Sequence, residues 1–525
     1  MVTAYLTDDG NFLHLIATNY FEVERLRQAF TVKVSNWFVL AKTKPGIPIE
    51  TAFMNAEDYI PVGLWLELVE ACKKHSIDLK FGNEFAMRTT NSDITRLEFD
   101  EYIKTLFTGD LQPKDYQMDA VYNMIKYKKG CIEVSTSGGK TLISYMLFRF
   151  LIDKLNVKRI LFVTPNTNLT TQTADKFKLY DSQNGKDSSW TSACIYATAR
   201  KEAKYDQTII FGNYQSLVKK KADFFKDIEV IIIDECHHSN ARSERIIIRN
   251  CKNAEYKFGM TGTFPKSGSH ESFTIQAYIG PIIYRLTSHD LINKEKFATP
   301  VYVNCIELDY LEPEKKQALY QMRLSKIPND PQEGNKLYNI EKEISRDNPI
   351  RFKYICEMIE KTTKNSLVIF SDIQTKYGMK FYDYLKENTP KNVYYIDGEI
   401  KSAVRDQIKQ NMEDDKTGNT IIVASMGCFS EGIDIANLWN IFLIESTKSE
   451  NTVAQLLGRG MRRYEGKDKT VMIDFVDDFR FGDVKGYIYN YLYRHGQERQ
   501  LIYKQRGFPL SVVPVQLRNA QMTLF

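Results

Sequence analysis

The chain has 525 residues, 43% hydrophobic and 26% charged, with a formal net charge of +5, an ordinary globular balance. No apolar stretch approaches the roughly 18 residues of a membrane span. Eight scattered cysteines fit a reducing compartment and argue against a disulfide scaffold, and Met1–Gly10, with Asp8 and Asp9 and no basic residue, does not read as an export signal.

The first 95 residues read as a small α/β domain. Tyr20–Phe30 has Phe21, Val23, Leu26 and Phe30 at helical spacing, Thr31–Leu40 alternates like a strand, and Pro61–His75 reads as a second helix. The polar stretch Thr89–Asp93 closes the domain. Residues 1–110 carry a balance of −5, so the remainder carries +10. The basic balance therefore lies where a phosphate backbone would run.

The run Val134–Thr141, VSTSGGKT, follows the apolar strand Cys131–Val134 and precedes the helical pattern Leu142–Leu151. Strand, glycine-rich turn and helix N-terminus together make a phosphate cradle. Ser135, Thr136, Ser137, Gly138 and Gly139 would supply the loop, Lys140 would reach the β- and γ-phosphates, and Thr141 would hold Mg²⁺. Val134 occupies the first glycine position of the usual phosphate-loop pattern.

Downstream, the buried strand Glu229–Ile233 ends in Asp234-Glu235-Cys236-His237. Asp234 would bind Mg²⁺, and Glu235 would orient and deprotonate the attacking water. Metal coordination by Cys236, His237 and His238 is disfavoured, because no CxxC or HxxxH spacing accompanies them.

Apolar strands then recur with helical patterns between them. They include Ile160–Val163, Thr208–Phe211, Val230–Ile233 and Tyr256–Met260, then Leu367–Phe370, Val393–Ile396, Thr420–Ala424, Ile441–Ile444 and Val471–Phe475. Alternation of this kind predicts an α/β protein with two parallel-sheet lobes. The expected divisions are 1–95, 96–298, 299–482 and a basic tail, 483–525.

Asp234–His237 resembles the DExH box of superfamily 2 helicases, and other stretches fit that family in order. LQPKDYQ (Leu111–Gln117) resembles the adenine-reading motif, with Gln117 as the amide. VTPNTNLTTQ (Val163–Gln172) resembles motif Ia and NYQSL (Asn213–Leu217) motif Ib. Thr261-Gly262-Thr263 resembles motif III, IVASMGCFSEGID (Ile422–Asp434) motif V, and QLLGRGMR (Gln455–Arg462) motif VI. Ser137 stands where the family usually has glycine, and Cys236 where it usually has alanine.

The resemblance implies tandem RecA-like lobes with ATP between them. It makes Arg459 and Arg462 the cations that stabilise the transferring phosphoryl group, with Gln455 beside them and Gly432 and Asp434 in the nucleotide site. It implies nucleic-acid contacts at Thr164, Pro165, Thr167, Tyr214, Gln215, Ser371 and Ser425, and coupling through Thr261 and Thr263. Gly458 and Gly460 weigh against an ordinary helix around the two arginines.

Most of the chain resembles phage UvsW-like helicases, including Ile60–Phe81 and Tyr489–Tyr503. That implies an ATP-dependent monomer, in the host cytoplasm if phage-encoded, acting on junctions, forks, D-loops and R-loops. Its DNA would be branched, duplex or single-stranded, with RNA only in R-loops. The family's N-terminal domain grips duplex beside a branch, which sits awkwardly with the acidic balance here. The rival expectations are a duplex translocase of a restriction-type complex, an RNA-directed helicase, and a nucleotide-gated DNA clamp.

The tail from Val484 has six basic residues and one acidic residue among several tyrosines. It fits either base stacking or a helix packed on the second lobe, and packing is favoured. Ser511–Ala520 shows no strong periodicity, which predicts a mobile end. The closing QMTLF (Gln521–Phe525) resembles the pentapeptide that binds bacterial sliding clamps.

Overall fold

The computed structural model describes residues 1–34, 48–91, 93–186, 190–196, 206–238, 242–294, 296–325, 331–371, 375–430, 435–447, 449–482 and 489–517. The chain divides into two compact units, Met1–Leu286 and Thr287–Phe525. The division falls before the expected 298/299, because the helix Ser288–Asn293 belongs with the second unit.

The first unit opens with strands β1 (Val2–Leu6), β2 (Phe12–Ala17), β3 (Thr31–Lys33), β4 (Glu50–Ala52), β5 (Tyr59–Pro61) and β6 (Leu79–Phe81). Four form a sheet in the order β5-β2-β1-β6, and β3 pairs with β4 antiparallel. The strand expected over Thr31–Leu40 is thus only Thr31–Lys33 among the described residues. The helices Tyr20–Ala29 and Trp65–Lys74 bury Val23, Leu26, Leu68 and Cys72 against the sheet's inner residues, Val2, Ala4, Leu13 and Leu15.

This small domain shares its core with the rest of the first unit. The core takes in Phe273, whose ring lies 5.6 Å from Phe30 and 5.4 Å from Phe53. Phe273 belongs to the helix His270–Tyr278, and on the same helix Gln276 Nε2 donates to Glu67 Oε1 at 2.9 Å. A Cβ on Gly63 would stand 1.9 Å from the Gln276 carbonyl oxygen, so only glycine permits this approach.

The rest of the first unit is a seven-stranded parallel sheet of β7 (Lys129–Val134), β8 (Ile160–Thr164), β9 (Ser192–Ile195), β10 (Ile209–Asn213), β11 (Val230–Asp234), β12 (Tyr256–Thr261) and β13 (Ile282–Leu286). The order is β13-β7-β12-β11-β8-β10-β9. Strands buried on both faces read as unbroken apolar runs, which is why β8 and β11 were legible. The order sets β7, β12 and β11 side by side, so their carboxyl ends converge on one rim.

The second unit repeats the pattern with β14 (Val301–Asp309), β15 (Ser366–Phe370), β16 (Asn392–Ile396), β17 (Thr420–Ser425), β18 (Asn440–Leu443), β19 (Thr470–Asp477) and β20 (Leu510–Gln516), in the order β16-β17-β15-β18-β19-β14-β20. Among the described residues, every pair of neighbours in the two seven-stranded sheets is parallel. The tandem α/β architecture expected from the sequence is present.

The tail carries the packed helix favoured for it and, after it, a strand that was not expected. Tyr491–Gln505 is a helix packed on this lobe through Arg499, fully buried and bound to Asp474 at 2.7 and 2.8 Å, and Tyr503, whose hydroxyl donates to Asp474 at 2.9 Å. Leu510–Gln516, in a stretch read as having no strong periodicity, is an edge strand along β14. An edge accepts Pro514 because the missing N–H faces away from the ladder. Tyr487 and Gln521–Phe525 lie outside the described residues.

Candidate active site

β7 runs into the turn Ser135–Gly139, and the helix Lys140–Leu155 starts at its end. Gly139 has φ +80°, and a Cβ there would stand 2.2 Å from Gln117 Nε2. A Cβ on Gly138 would stand 2.5 Å from Val134 Cγ1. The loop therefore requires both glycines. Ser137, in the family's glycine position, also takes a left-handed backbone at φ +74°. Such a backbone costs a side-chain-bearing residue roughly 1–2 kcal/mol. Gln117 is buried, donates from Nε2 to the Gly138 carbonyl at 3.2 Å and accepts from the Lys114 amide at 2.9 Å. The structure thus sets this amide against the phosphate loop.

Lys140 Nζ lies 3.6 Å from Glu235 Oε1 and 3.5 Å from the Val134 carbonyl oxygen. Thr141 follows it on the helix, half-buried. Asp234 ends β11, and its Oδ1 accepts the Glu235 amide at 3.0 Å. Burial, then the charge of Glu235, pushes the Asp234 carboxyl up to about 7 against the pull of Lys140. Glu235 itself sits at φ +51°, a strained backbone for a residue with a side chain. Two adjacent carboxylates, one of them pushed toward neutrality, form a site that a divalent cation would relieve.

Motif III closes the same rim. A Cβ on Gly262 would come within 3.1 Å of Thr136 Oγ1 and 3.4 Å of Lys140 Nζ, so this strand end lies against the loop. The Thr261 hydroxyl lies 3.5 Å from Glu235 Oε2 and 3.0 Å from both the Thr263 carbonyl and the Thr263 amide. His237 joins them, with Nδ1 2.8 Å from Thr261 Oγ1 and 3.4 Å from Glu235 Oε2. By sequence His237 stands out as the last residue of the DExH-like stretch and as a disfavoured metal ligand, with no partner assigned to it. Its place two residues past Glu235, in the turn that leaves β11, is the signal that it faces motif III.

The expected nucleic-acid residues divide. Thr167 and Tyr214 are half-buried, Gln215 is exposed, and Asn213 Nδ2 donates to Thr167 Oγ1 at 3.0 Å, joining motifs Ia and Ib. Pro165 is half-buried at the end of β8, and Ser371 is exposed with its amide donating to Glu445 at 2.6 Å. Thr164 and Ser425 correct the expectation: both are 0–1% exposed at strand ends, and the Thr164 hydroxyl is 2.6 Å from that of Thr170. Both strands are buried along their whole length, so these side chains are covered whichever face they take.

In the second unit the helix Glu450–Gly460 carries Gln455, half-buried, and Arg459, buried, and Arg462 follows just beyond its end. Gly458 and Gly460 lie within this helix, against expectation. Gly460 is there for packing, since a Cβ would meet Thr470 at 3.1 Å and Ile441 at 3.2 Å. Gly432 and Asp434 lie outside the described residues.

Residues 110–266 match the family described as type III restriction enzyme, res subunit, and residues 350–464 match the helicase conserved C-terminal domain. Both matched segments carry the motifs in place. The chain belongs to the superfamily 2 helicases. It is 29% identical to the ATP-dependent DNA helicase uvsW of Enterobacteria phage T4, over 81% of this chain and 82% of that one. It is 26% identical to a putative ATP-dependent helicase, IRC3, of Saccharomyces cerevisiae, over 69% of this chain and 51% of that one. Among solved structures, a fragment of a putative HsdR subunit of a type I restriction enzyme from Vibrio vulnificus shares the fold. Its TM-score is 0.53 at 19% identity, over 80% of this chain and 72% of that one. This superfamily 2 member is an ATP-hydrolysing, DNA-binding helicase of the UvsW type.

Proposed function

We propose that this helicase remodels branched DNA, moving junctions, forks, D-loops and R-loops by ATP-driven translocation. The observation that supports it is the bonding of the N-terminal domain to the helix His270–Tyr278, just after motif III. A domain held this way moves with the first lobe and can keep its grip on duplex while the motor advances.

In this reading Lys140 and the loop Ser135–Gly139 bind the phosphates, and Gln117 lies where it can read adenine. Thr141 and Asp234 are the ligands for Mg²⁺, which offsets phosphate charge when bound. Glu235 holds and deprotonates the attacking water, with His237 and Thr261 fixing its carboxylate. Gln455, Arg459 and Arg462 of the second lobe stabilise the charge that develops on the γ-phosphate, and Gly432 and Asp434 complete the nucleotide contacts. Thr167, Tyr214, Gln215, Pro165 and Ser371 are the nucleic-acid contacts, and the tail Gln521–Phe525 docks on a bacterial sliding clamp.

The test is steady-state ATP hydrolysis with single-stranded, duplex, forked, four-way and R-loop nucleic acids. Turnover should rise with DNA, and most with branched DNA. Lys140→Ala should lose nearly all turnover while still binding DNA, and Glu235→Gln should bind ATP but hydrolyse it slowly. Turnover above half of wild type in Lys140→Ala would sink the phosphate-loop assignment. The RNA-directed alternative would show itself as stronger stimulation by RNA than by any DNA.

A further inference from the structure

Lys467 lies outside every helicase motif of the chain. Its Nζ donates three hydrogen bonds, to the carbonyls of Arg462 at 2.9 Å, Gly460 at 3.0 Å and Ala436 at 3.1 Å. An ammonium has three protons, and here all three are used on main-chain oxygens. The carbonyls come from two separate segments. Gly460 ends the motif VI helix and Arg462 follows just beyond it, where carbonyls lack helical partners and the helix dipole is negative. Ala436 lies on the segment leaving motif V.

The surroundings reinforce the clamp. The Glu413 carboxylate accepts the amides of Ala436 at 2.5 Å and Asn437 at 3.0 Å, so Ala436 is held at both its N–H and its C=O. Thr299 Oγ1 also donates to the Arg462 carbonyl at 3.0 Å, and Thr470 Oγ1 to that of Gly460 at 2.7 Å. Burial lowers Lys467 to about 7 and Arg462 to about 10, with the charge of Glu413 opposing both shifts. Two half-buried cations near one another are costly, and a methionine would fill the space of Lys467 without that cost. What the methionine could not do is hold three carbonyls in one geometry.

We propose that Lys467 is a positioning residue for ATP hydrolysis: it caps the motif VI helix, ties it to the segment leaving motif V, and so fixes the turn that presents Arg459 and Arg462. The inference rests on the assignment of those arginines to the γ-phosphate. It makes the motif V segment and motif VI move as one piece, so that a shift at one is felt at the other.

The experiment uses the full-length protein with saturating duplex DNA. It measures kcat and KM for ATP, binding of a fluorescent ATP analogue, and melting by circular dichroism. Lys467→Met should lower kcat about tenfold, while analogue affinity changes by less than about twofold. Lys467→Arg, which keeps the charge and several donors, should recover part of kcat. In an Arg462→Ala background Lys467→Met should add little further loss, because both changes act on one element. A kcat within about twofold of wild type in Lys467→Met, or losses that simply multiply in the double variant, would overturn the proposal. Should Lys467→Met not fold, Lys467→Leu also removes every donor, and wild-type kcat in that variant overturns it equally. Unchanged turnover in Arg462→Ala itself would overturn the arginine assignment, whereas a slow Arg462→Ala beside a normal Lys467→Met overturns only the role of Lys467.

Discussion

Asp234 shows how a candidate active site stores cost at a single residue. Burial and the neighbouring Glu235 raise its carboxyl from 3.8 to about 7. In the unfolded chain the same group ionises near its ordinary value. Between roughly pH 4 and 7 the folded state therefore binds more protons than the unfolded state, and stability falls as pH rises through that window. Below the window both states are protonated and the cost vanishes. Asp234→Asn removes the ionisation, so in chelator-treated protein at pH 8 it should melt several degrees above wild type while losing ATP hydrolysis. At pH 4 the two melting points should converge. An Asp234→Asn protein that melts at or below wild type at pH 8 would show that the carboxylate is not destabilising. The serine at position 137 is a smaller cost of the same kind, since its left-handed φ would be free for glycine.

At the scale of elements, the helix His270–Tyr278 carries the contact between the N-terminal domain and the first lobe. Phe273 is 6% exposed and packs on Phe30 and Phe53. Phe273→Ala should cost about 3–5 kcal/mol of the contact. The expected result is faster cleavage near residues 89–95 in limited proteolysis, with the ATP site of the lobe still able to bind nucleotide. Unchanged proteolysis would mean that Glu67–Gln276 and Thr51–His270 suffice to hold the domain. None of this contact was legible in the sequence, because it joins residues more than 200 positions apart. The motif-bearing strands were legible, since parallel strands buried on both faces read as continuous runs such as EVIII. β20 was not, because Pro514 and four consecutive exposed residues, Ser511–Pro514, hide a strand whose pairing with β14 comes from elsewhere in the chain. Lys140, Asp234 and Glu235 were singled out by their places at strand ends, and Thr261 by the resemblance to motif III. The burial of Thr164 and Ser425 was not legible, because it comes from elements packed over both faces of the sheet.

At the scale of the whole molecule, charge and architecture pull in different directions. Residues 111–525 carry +10 and residues 1–110 carry −5, so most of the attraction for phosphates belongs to the motor. DNA affinity should fall about a hundredfold between about 50 and 200 mM salt if about four phosphates are neutralised, since released counterions drive the binding. A grip on duplex by the N-terminal domain would then have to come from a local face. Lys73 and Lys74, both exposed on the helix Trp65–Lys74, are adjacent cations that could form one, with Lys33 also exposed in this domain. Lys73 already pairs with Glu70 at 2.8 Å, but an exposed pair of this kind is worth little and leaves the ammonium open to a phosphate. Lys73→Glu/Lys74→Glu changes two surface charges and leaves the domain core intact. It should reduce the stimulation of ATP hydrolysis by forks and four-way junctions several-fold, while stimulation by single-stranded DNA stays near wild type, because the motor's own contacts are untouched. Deleting the domain would be a poorer test, since it would uncover Phe273. If the ratio of forked to single-stranded stimulation is the same in the charge-reversed and native proteins, this face does not grip the branch, and preference for branched DNA must arise within the motor.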